Sequence, residues 1–407
     1  MTNASCNIAA TNPRPGVALI NNSQTPYRLA FHRRIIREMP EIKLWSVFTH
    51  QGASANWEFE APDEIGPVLF GEGESSNTQS SVKFAWREWK KGGRIIHCLR
   101  EKKVRAVVIG GYNDAGRLRI IRWCFKHRVP CFLFGDSNIR GESTYGWKAW
   151  VKKMVVSRVL RWCSGAMACG ELGKQYFMTY GMPAERIYFM PYEPDYDLIQ
   201  NVSSDLITST QNRFNLNPAR RRIVYSGRLV AQKRVDLLIE AFCAIAGDRP
   251  DWDLLIVGDG ELRQSLEARV LPIWKERVRW LGFVNDQSAL SAVYRLSDVL
   301  VLPSDYEPWA VVINEAVAAG MAVVASDVVG AAYELVRDGV NGRVFQAGDL
   351  PALIVRLNEV TEAAQLGSMK AASPGVLADW IGHGDPVAGL RRGLVSAHVL
   401  PDSPNVR

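Results

Sequence analysis

Residues 298–316 read DVLVLPSDYEPWAVVINEA and contain a strand, a loop and the start of a helix. The apolar run from Val299 to Leu302 has the length and branching of a buried parallel strand, and Pro303 ends it. A polar loop follows, and the apolar residues from Ala310 onwards predict a helix. A junction from the carboxyl end of a strand to the start of a helix is where open α/β sheets bind anionic ligands.

Two carboxylates flank this junction. Glu307 lies in the loop, and Glu315 lies two helical turns further on. Carboxylates suit the hydroxyl groups of a sugar better than they suit a phosphate, because they act as hydrogen-bond acceptors. The pattern predicts a nucleotide-sugar site in which Glu307 faces the sugar, Glu315 faces the ribose and the helix start holds the diphosphate. Taken alone, the stretch is equally compatible with a solvated loop and an ordinary helix carboxylate.

The length and charge of the chain restrict its class. A chain of 407 residues with 47% hydrophobic and 22% charged residues is typical of a globular protein with two domains. A formal net charge of +7 and a pI of about 9.0 favour anionic partners, such as nucleotide diphosphates, anionic lipid surfaces or nucleic acid. The sequence contains no recognised module for reading nucleic acid, so nucleic acid is not expected as a partner.

Cysteine and histidine usage argues against a metal centre. The seven cysteines are scattered without a C-x-x-C pair, and none of the six histidines has metal-like spacing. The N-terminus lacks the basic and apolar segments of a signal peptide, and no apolar run approaches the length of a membrane span. We expect a cytoplasmic protein with reduced thiols, no metal and no cofactor apart from the nucleotide sugar as substrate.

Two basic segments suggest a membrane surface as a possible partner. Residues 28–37 are rich in arginine, and residues 145–163 interleave lysine and arginine with Trp147, Trp150 and Trp162. Aromatic and basic side chains on one helix suit the interface of an anionic membrane. Ordinary surface helices would show the same composition. The prediction is therefore a cytoplasmic protein that can lie at the inner face of the membrane.

Apolar strands alternate with helical segments along both halves of the chain, which predicts an α/β fold with parallel, doubly wound sheets. The strand-like runs are residues 17–20, 44–48, 106–110, 130–134, 165–169 and 187–190 in the first half, and 222–226, 252–257, 278–282, 299–302 and 322–325 in the second. We expect two Rossmann-like domains, residues 1–195 and 220–370, with a connection at 196–219 and a cleft between the domains.

Further candidate residues follow the other strands of the second half. Gly227, Arg228 and Lys233 follow its first strand and offer cations to a diphosphate, unless they form only a solvated basic turn. Gly258 follows the next strand in a turn that lacks the third glycine of a dinucleotide fingerprint, which argues against a dehydrogenase. The backbone at Phe283 and Val284, after the third strand, is placed to pair with a nucleobase, although a plain turn would look the same.

In the first half, Asp136, Asn138 and Glu142 follow a strand end that faces the expected cleft. Polar side chains at this place are suited to bind the acceptor or the donor sugar. A polar surface loop is the alternative.

Taken in order, these motifs resemble those of the family 4 glycosyltransferases of the GT-B type. They are Gly227-Arg228-Leu229, Lys233, Val257-Gly258-Asp259-Gly260, Leu281-Gly282-Phe283-Val284, Leu302-Pro303-Ser304, Glu307 with Glu315, residues 320–325 and Glu334. The likeness is strong over residues 220–350 and fair over 165–195. It implies two Rossmann-like domains with the donor in the cleft, a nucleotide-diphosphate sugar as donor, retention of anomeric configuration and no divalent metal.

The resemblance also implies roles for individual residues. Arg228 and Lys233 would hold the diphosphate and stabilise the leaving group, Glu307 would position the donor sugar, and Glu315 would bind the ribose. Tyr27 and Arg28 look like part of an acceptor-side loop. A final helix at about 385–400 would cross back and pack on the first domain.

The chain departs from the family pattern where the family commonly has glycines, at Pro308 and Ala310. Because proline has no backbone N–H, backbone contacts to the donor would fall to Trp309, Ala310 and Val311. The expected function is a hexosyltransferase that acts on a saccharide or lipid-linked saccharide acceptor in cell-envelope or exopolysaccharide biosynthesis. The alternatives are another GT-B enzyme, such as a nucleotide-sugar epimerase, and a catalytically degenerate protein that binds a nucleotide or a glycan.

Overall fold

The computed structural model describes residues 14–52, 62–141 and 146–402. The described strands form two parallel sheets, one of seven strands and one of six. Glu142, one of the predicted site residues, lies outside the described residues.

The first sheet has the strand order β3-β2-β1-β4-β5-β6-β7. Its strands are β1 (Gly16–Asn21), β2 (Lys43–Phe48), β3 (Pro67–Leu69), β4 (Val104–Gly110), β5 (Cys131–Gly135), β6 (Gly165–Ala168) and β7 (Ile187–Phe189). The helices of this part are α1 (Pro26–Glu38), α2 (Ala85–Glu101), α3 (Ala115–His127), α4 (Gly146–Leu160) and α5 (Glu171–Thr179).

Both faces of the first sheet are buried, which is why its strands are continuous apolar runs. Val17 and Leu19 of β1 belong to a core that also contains Ile35 of α1. The alternate residues Ala18 and Ile20 belong to a second core, shared with α2 and α3. The sheet is therefore a central layer between helices, and its carboxyl edge is left to form a cleft.

The second sheet has the strand order β10-β9-β8-β11-β12-β13. Its strands are β8 (Arg221–Ser226), β9 (Trp252–Val257), β10 (Val278–Gly282), β11 (Val299–Leu302), β12 (Ala322–Ser326) and β13 (Gly342–Phe345). The helices are α6 (Tyr196–Gln200), α7 (Ser204–Arg213), α8 (Val235–Ile245), α9 (Arg263–Glu267), α10 (Gln287–Arg295), α11 (Val311–Ala318), α12 (Gly330–Leu335), α13 (Leu350–Thr361), α14 (Ala363–Gly384) and α15 (Pro386–Ser396). The prediction of an α/β fold with two Rossmann-like, doubly wound domains is confirmed.

Helices outside residues 220–370 also pack against elements of the second domain. The expected connection at 196–219 contains α6 and α7, which pack on α10. At the other end, α14 continues to Gly384 although it contains Pro374. An internal proline costs a helix about 3 kcal/mol, and here packing outweighs it. The buried residues of α14 recur at helical spacing, and they include Met369, Leu377 and Trp380.

The chain crosses between the domains twice, and both crossings meet at one arginine. The first crossing follows β7 and contains Glu193, and the second lies at Asp385, between α14 and α15. Arg34 of α1 places Nη1 2.7 Å from Glu193 Oε2 and Nη2 2.5 Å from Asp385 Oδ2. After the second crossing, α15 packs against β7 and α1 of the first domain.

Close backbone packing accompanies this return. A Cβ atom at Gly389 of α15 would lie 1.6 Å from the carbonyl oxygen of Phe189. Arg391 of the same helix contacts Glu41. Within the described ranges, no helix is both long enough and apolar enough to span a bilayer.

Candidate active site in the interdomain cleft

Three glycines form the edge of the second sheet at the ends of β8, β9 and β10. The N–H of Gly227 donates to the carbonyl of Val257 (2.9 Å), and the N–H of Gly258 donates to the carbonyl of Gly282 (2.8 Å). Gly258 has a φ of +128°, and a Cβ atom there would lie 1.9 Å from the carbonyl oxygen of Gly227. Only glycine fits this position, so bare backbone faces the cleft.

The two predicted cations follow β8 but have different surroundings. The side chain of Arg228 is exposed, and within the described part of the chain it makes no side-chain hydrogen bond or ion pair. Its carbonyl accepts a hydrogen bond of 2.8 Å from the hydroxyl of Tyr225. Lys233 instead contacts the carboxylate of Glu307. Arg228 is therefore available to an anion, whereas the charge of Lys233 is shared with Glu307.

Glu307 lies in the loop after β11, at the mouth of the cleft. Its carboxylate pairs with Lys233, and the hydroxyl of Ser304 lies 3.4 Å from Oε2. The Glu307 side chain is only 12% exposed. Charge on Glu307 also contributes to the raised pKa of Asp136 in the first domain, after the larger effect of burial. The predicted sugar-binding carboxylate therefore lies close to polar residues of both domains.

Four consecutive amides lie unpaired at the start of α11. Within the described ranges, the N–H groups of residues 309–312 donate no hydrogen bond to a protein group. Ala310 is the N-cap of this helix and has φ of +80° and ψ of +83°. Unpaired amides and the positive end of the helix dipole form an anion-binding site. The loop thus offers amides from Trp309, Ala310 and Val311 despite Pro308.

Glu315 lies further along α11, beside the end of β8. Burial raises the pKa of its carboxyl from 4.5 to about 7. The hydroxyl of Tyr294 donates to Glu315 Oε2 (2.9 Å), and Ser226 Oγ lies 2.8 Å from the same hydroxyl. The carboxyl is held in one orientation by Tyr294 through one of its two oxygens. Its contact with a ribose hydroxyl stays a prediction.

The first domain contributes a compact polar cluster opposite Glu307. Arg28 donates to the carbonyl of Ser23 (2.5 Å) and to the hydroxyl of Tyr192 (3.2 Å). The rings of Tyr27 and Tyr192 have centroids 4.9 Å apart, and the Arg28 guanidinium lies over both rings. Burial raises the pKa of Asp136, while the charge on Arg28 opposes that rise. The predicted residues Tyr27, Arg28 and Asp136 therefore lie together at the cleft.

Asn138 and Trp309 have different surroundings from those expected. The side-chain amide of Asn138 donates to backbone carbonyls of the second domain, so it is not free to bind a sugar. The indole N–H of Trp309 donates to the carbonyl of Tyr192 (2.9 Å), and only 3% of this residue is exposed. Both side chains join the two domains, which leaves only the backbone N–H of Trp309 for a ligand.

The predicted base-binding turn lies at the end of β10. Val284 is 4% exposed and part of the core, whereas Phe283 is 38% exposed. The backbone here adjoins Gly258 through the Gly282 carbonyl. Contact with a nucleobase at this turn stays a prediction.

The strongest candidate for a metal site is a buried cluster in the first domain. Ligand atoms of His50, Glu74 and Glu88 lie within 4.8 Å of one another. The ammonium group of Lys91 lies among them, 2.5 Å from Glu74 Oε2 and 3.0 Å from Glu88 Oε2. It already supplies the positive charge that these carboxylates require, so the cluster is built around a lysine.

Some residues of this cleft were not predicted from the sequence. The sequence contains a signal for Ser226, because this residue directly precedes the Gly227 turn at the end of a strand. Tyr192 follows the last strand of the first domain, between Pro191 and Pro194, and no motif in that segment indicates a binding residue. Tyr294 lies within α10, and nothing in the local sequence distinguishes it from a core tyrosine.

Comparison with known proteins identifies the class of the second domain. Residues 207–369 match the family model described as Glycosyl transferases group 1. The chain is 30% identical over 219 residues, 52% of its length, to the alpha-D-kanosaminyltransferase of Streptomyces kanamyceticus, covering 55% of that protein. It is 32% identical over 156 residues, 36% of its length, to the lipopolysaccharide core biosynthesis mannosyltransferase LpsB of Rhizobium meliloti strain 1021, covering 43% of that protein. The chain spans about half the length of these curated relatives.

Solved structures extend the likeness to both domains. The structure of Anabaena HepE in complex with UDP and glucose matches 95% of this chain and 100% of that chain, with a TM-score of 0.69 and 18% identity. Sucrose-phosphate synthase from Thermosynechococcus elongatus matches 94% of this chain and 100% of that chain, with a TM-score of 0.73 and 16% identity. Such identities show the fold alone. The protein has the GT-B fold, so the predicted fold class is confirmed. Residues 207–369 resemble the group 1 glycosyltransferases, and membership of family 4 stays a prediction.

Proposed function

We propose that the protein is a retaining glycosyltransferase that moves a sugar from a nucleotide-diphosphate donor to a saccharide or lipid-linked saccharide acceptor. The observation that carries this proposal is the edge of the second domain, where Arg228, Lys233, Glu307 and the unpaired amides of α11 lie together. Cations and amides suit the diphosphate, and Glu307 suits the sugar hydroxyls. No metal is required for these contacts.

Arg228 and Lys233 act on the leaving group. As the bond between sugar and diphosphate breaks, negative charge develops on the diphosphate, and fixed positive groups stabilise it. Arg228 has no competing ion pair within the described residues, and Lys233 can exchange part of its contact with Glu307 for a phosphate. Glu315 receives a ribose hydroxyl. Retention of configuration rests on the resemblance to the family.

The acceptor lies against the first domain. Arg28 has N–H groups beyond the two that bind Ser23 and Tyr192, and it lies over the ring of Tyr27. Asp136 beside it offers acceptor oxygens. Relatives named for lipopolysaccharide core and phosphatidylinositol dimannoside mannosyltransfer support a cell-envelope or exopolysaccharide acceptor. The acceptor we propose is therefore a saccharide, in free or lipid-linked form.

A membrane-facing surface supports the lipid-linked form. On α4, the apolar residues Trp147, Trp150, Val151, Met154 and Val155 are 72%, 62%, 38%, 48% and 47% exposed. Their spacing places them along one face of the helix, and lysines 148, 152 and 153 flank them. This surface suits the inner face of an anionic membrane. Helix α1 is less suited, because Arg28 and Arg34 are engaged in contacts within the protein.

The groove beside α4 is also lined by apolar and basic residues. It has a volume of about 930 Å³ and lies between α3 and α4, with Trp89, Leu118 and Met154 among its apolar residues. Its charged residues are all basic: Arg119, Arg122, Lys153, Arg158 and Arg161. A groove without a carboxylate favours an anionic amphiphile over a basic protein.

The experiment is a turnover assay with UDP-, GDP- and ADP-sugars that detects both transfer and donor hydrolysis. We expect one nucleotide class to be used, and Arg228→Ala to lower kcat by about 100-fold, the usual effect of removing one group that stabilises developing charge. Glu307→Ala should also lower kcat by about 100-fold, because the donor sugar is no longer held in the reactive position. The control is Lys275→Ala, which removes an exposed cation from the segment before β10, at the opposite edge of the sheet.

The outcomes separate the alternatives. Nucleotide binding without turnover of any donor would indicate a catalytically degenerate binding protein. Release of nucleotide diphosphate with a free epimerised sugar would indicate an epimerase. If no nucleotide binds and Glu307→Ala changes nothing, the proposed function is wrong.

A further inference from the structure

The loop after β5 reaches across the cleft and contacts the second domain. Asn138 in this loop is 4% exposed, and its Nδ2 donates to the carbonyls of Glu307 (3.1 Å), Pro308 (3.0 Å) and Val328 (3.3 Å). Its Oδ1 accepts a hydrogen bond of 2.8 Å from the N–H of Gly141. One side chain of the first domain thus fastens the two loops that follow β11 and β12.

Carbonyls of the same loop also accept hydrogen bonds from within the second domain. The N–H of Gly330 donates to the carbonyl of Glu307 (3.1 Å), and the N–H of Ala331 donates to the carbonyl of Trp309 (2.8 Å). Both donors belong to α12. The carbonyls of residues 307–309 are therefore held by Asn138 together with the first residues of this helix.

The fixed carbonyls determine where the amides point. A trans peptide is planar, so its N–H points away from its C=O. Holding the Pro308 carbonyl against Asn138 directs the N–H of Trp309 to the opposite side. Holding the Trp309 carbonyl against Ala331 does the same for the N–H of Ala310. These two amides begin the unpaired run at the start of α11.

We propose that Asn138 is a positioning residue for the donor: it orients the 307–310 loop so that the Trp309 amide and the Glu307 carboxylate face the cleft together. The proposal rests on the proposed function. Asn138 touches no substrate itself, because its amide hydrogens are directed at the three carbonyls.

The test compares binding of a nucleoside diphosphate with binding of the corresponding monophosphate. Asn138→Ala removes the amide, and Asn138→Asp keeps its shape but cannot donate when ionised. The matched control is Arg140→Ala, which removes a second interdomain bond of the same loop, from Arg140 Nη1 to the Asp327 carbonyl (2.6 Å), without touching residues 307–310. Titrations use UDP and UMP, with GDP and GMP and with ADP and AMP in parallel.

We expect the Asn138 variants to lose about tenfold in diphosphate affinity while monophosphate affinity changes less than about twofold, because only the outer phosphate and the sugar meet this loop. Turnover number should fall with the diphosphate affinity, and Arg140→Ala should keep the ratio of the two affinities. Circular dichroism and thermal midpoints establish that each variant is folded.

An unchanged diphosphate-to-monophosphate ratio in both Asn138 variants would overturn the proposal while leaving the proposed function intact. An equal loss of both affinities would also overturn it, because that result describes a general structural role. If the wild-type chain binds none of the six nucleotides, the proposed function itself fails, and the positioning role fails with it.

Discussion

Ala310 begins α11 with a φ of +80°, in the left-handed region that favours glycine. The resemblance to the family implies that glycine is common at the same position. A left-handed conformation costs a residue with a Cβ atom about 1–2 kcal/mol, and part of this cost is offset because alanine is less flexible than glycine in the unfolded chain. The residue that departs from the family pattern therefore occupies a strained site.

Ala310→Gly should stabilise the protein by about 0.5–1 kcal/mol, because glycine adopts this conformation without strain. The increase would appear as a higher midpoint in urea unfolding. Ala318→Gly, in the same helix, is the control and should lower stability by about 1 kcal/mol, since its φ and ψ are helical. Equal effects of the two substitutions would contradict the assignment of strain to Ala310.

Glu315 makes stability depend on pH. Burial raises its pKa from 4.5 to about 7, so the folded protein binds this proton more tightly than the unfolded chain does. Folding stability contributed by the neutral carboxyl is therefore present at low pH and is lost as pH rises through about 7.

Glu315→Gln mimics the neutral form and removes this loss. The variant should match the wild type at about pH 5 and exceed it in stability at about pH 8, as measured by urea unfolding at both values. A difference that does not vary with pH would show that the carboxyl is ionised throughout.

Helices α11 and α14 differ in how well the local sequence pattern predicts them. The apolar face of α11 and the strand before it were predicted directly from their spacing, because they are buried by contacts with adjacent strands. The predicted second domain ends at residue 370, within α14, because Pro374 and several glycines weaken the local pattern of this helix. Its apolar face packs against α11 and β12, and that contact outweighs local propensity.

Helix α4 is expected to bind anionic vesicles. Trp150→Ser should reduce sedimentation with vesicles containing about 30% phosphatidylglycerol by several-fold, and high salt should weaken binding of the wild type because the flanking lysines are screened. Ile273→Ser is the control, since Ile273 is 72% exposed but belongs to the segment before β10. Equal binding to neutral vesicles, or equal losses in both variants, would refute an electrostatic membrane surface at α4.

At the scale of the whole molecule, the two crossings of the chain and the loop around Asn138 decide how the domains are joined. Arg34 contacts both crossings from a helix of the first domain. Glu193 at the first crossing is buried, and burial raises its pKa from 4.5 to about 8. Because Arg34 contacts Glu193 and Asp385, its cation lies where the two domains are connected.

Arg34→Met should destabilise the protein by about 2 kcal/mol, because buried acidic groups lose their cation. It should also increase the radius of gyration measured by small-angle scattering. Arg33→Met is the control: Arg33 is the neighbour on α1, its partner Glu64 is exposed, and such a surface pair contributes less than about 1 kcal/mol. Identical scattering from Arg34→Met and the wild type would contradict a role in fixing the crossings.

The sequence by itself determined the two Rossmann-like domains, the turns at Gly227 and Gly258, and the positions of Arg228, Lys233 and Glu307 after the ends of strands. These features depend on residues close together in the chain, where apolar periodicity indicates strands and helices and glycine indicates turns. Only the tertiary structure decided that Asn138 and Trp309 join the domains, that Arg34 meets both crossings, and that α7 and α14 belong to the second domain. Those outcomes depend on partners far apart in the chain, which no local pattern records.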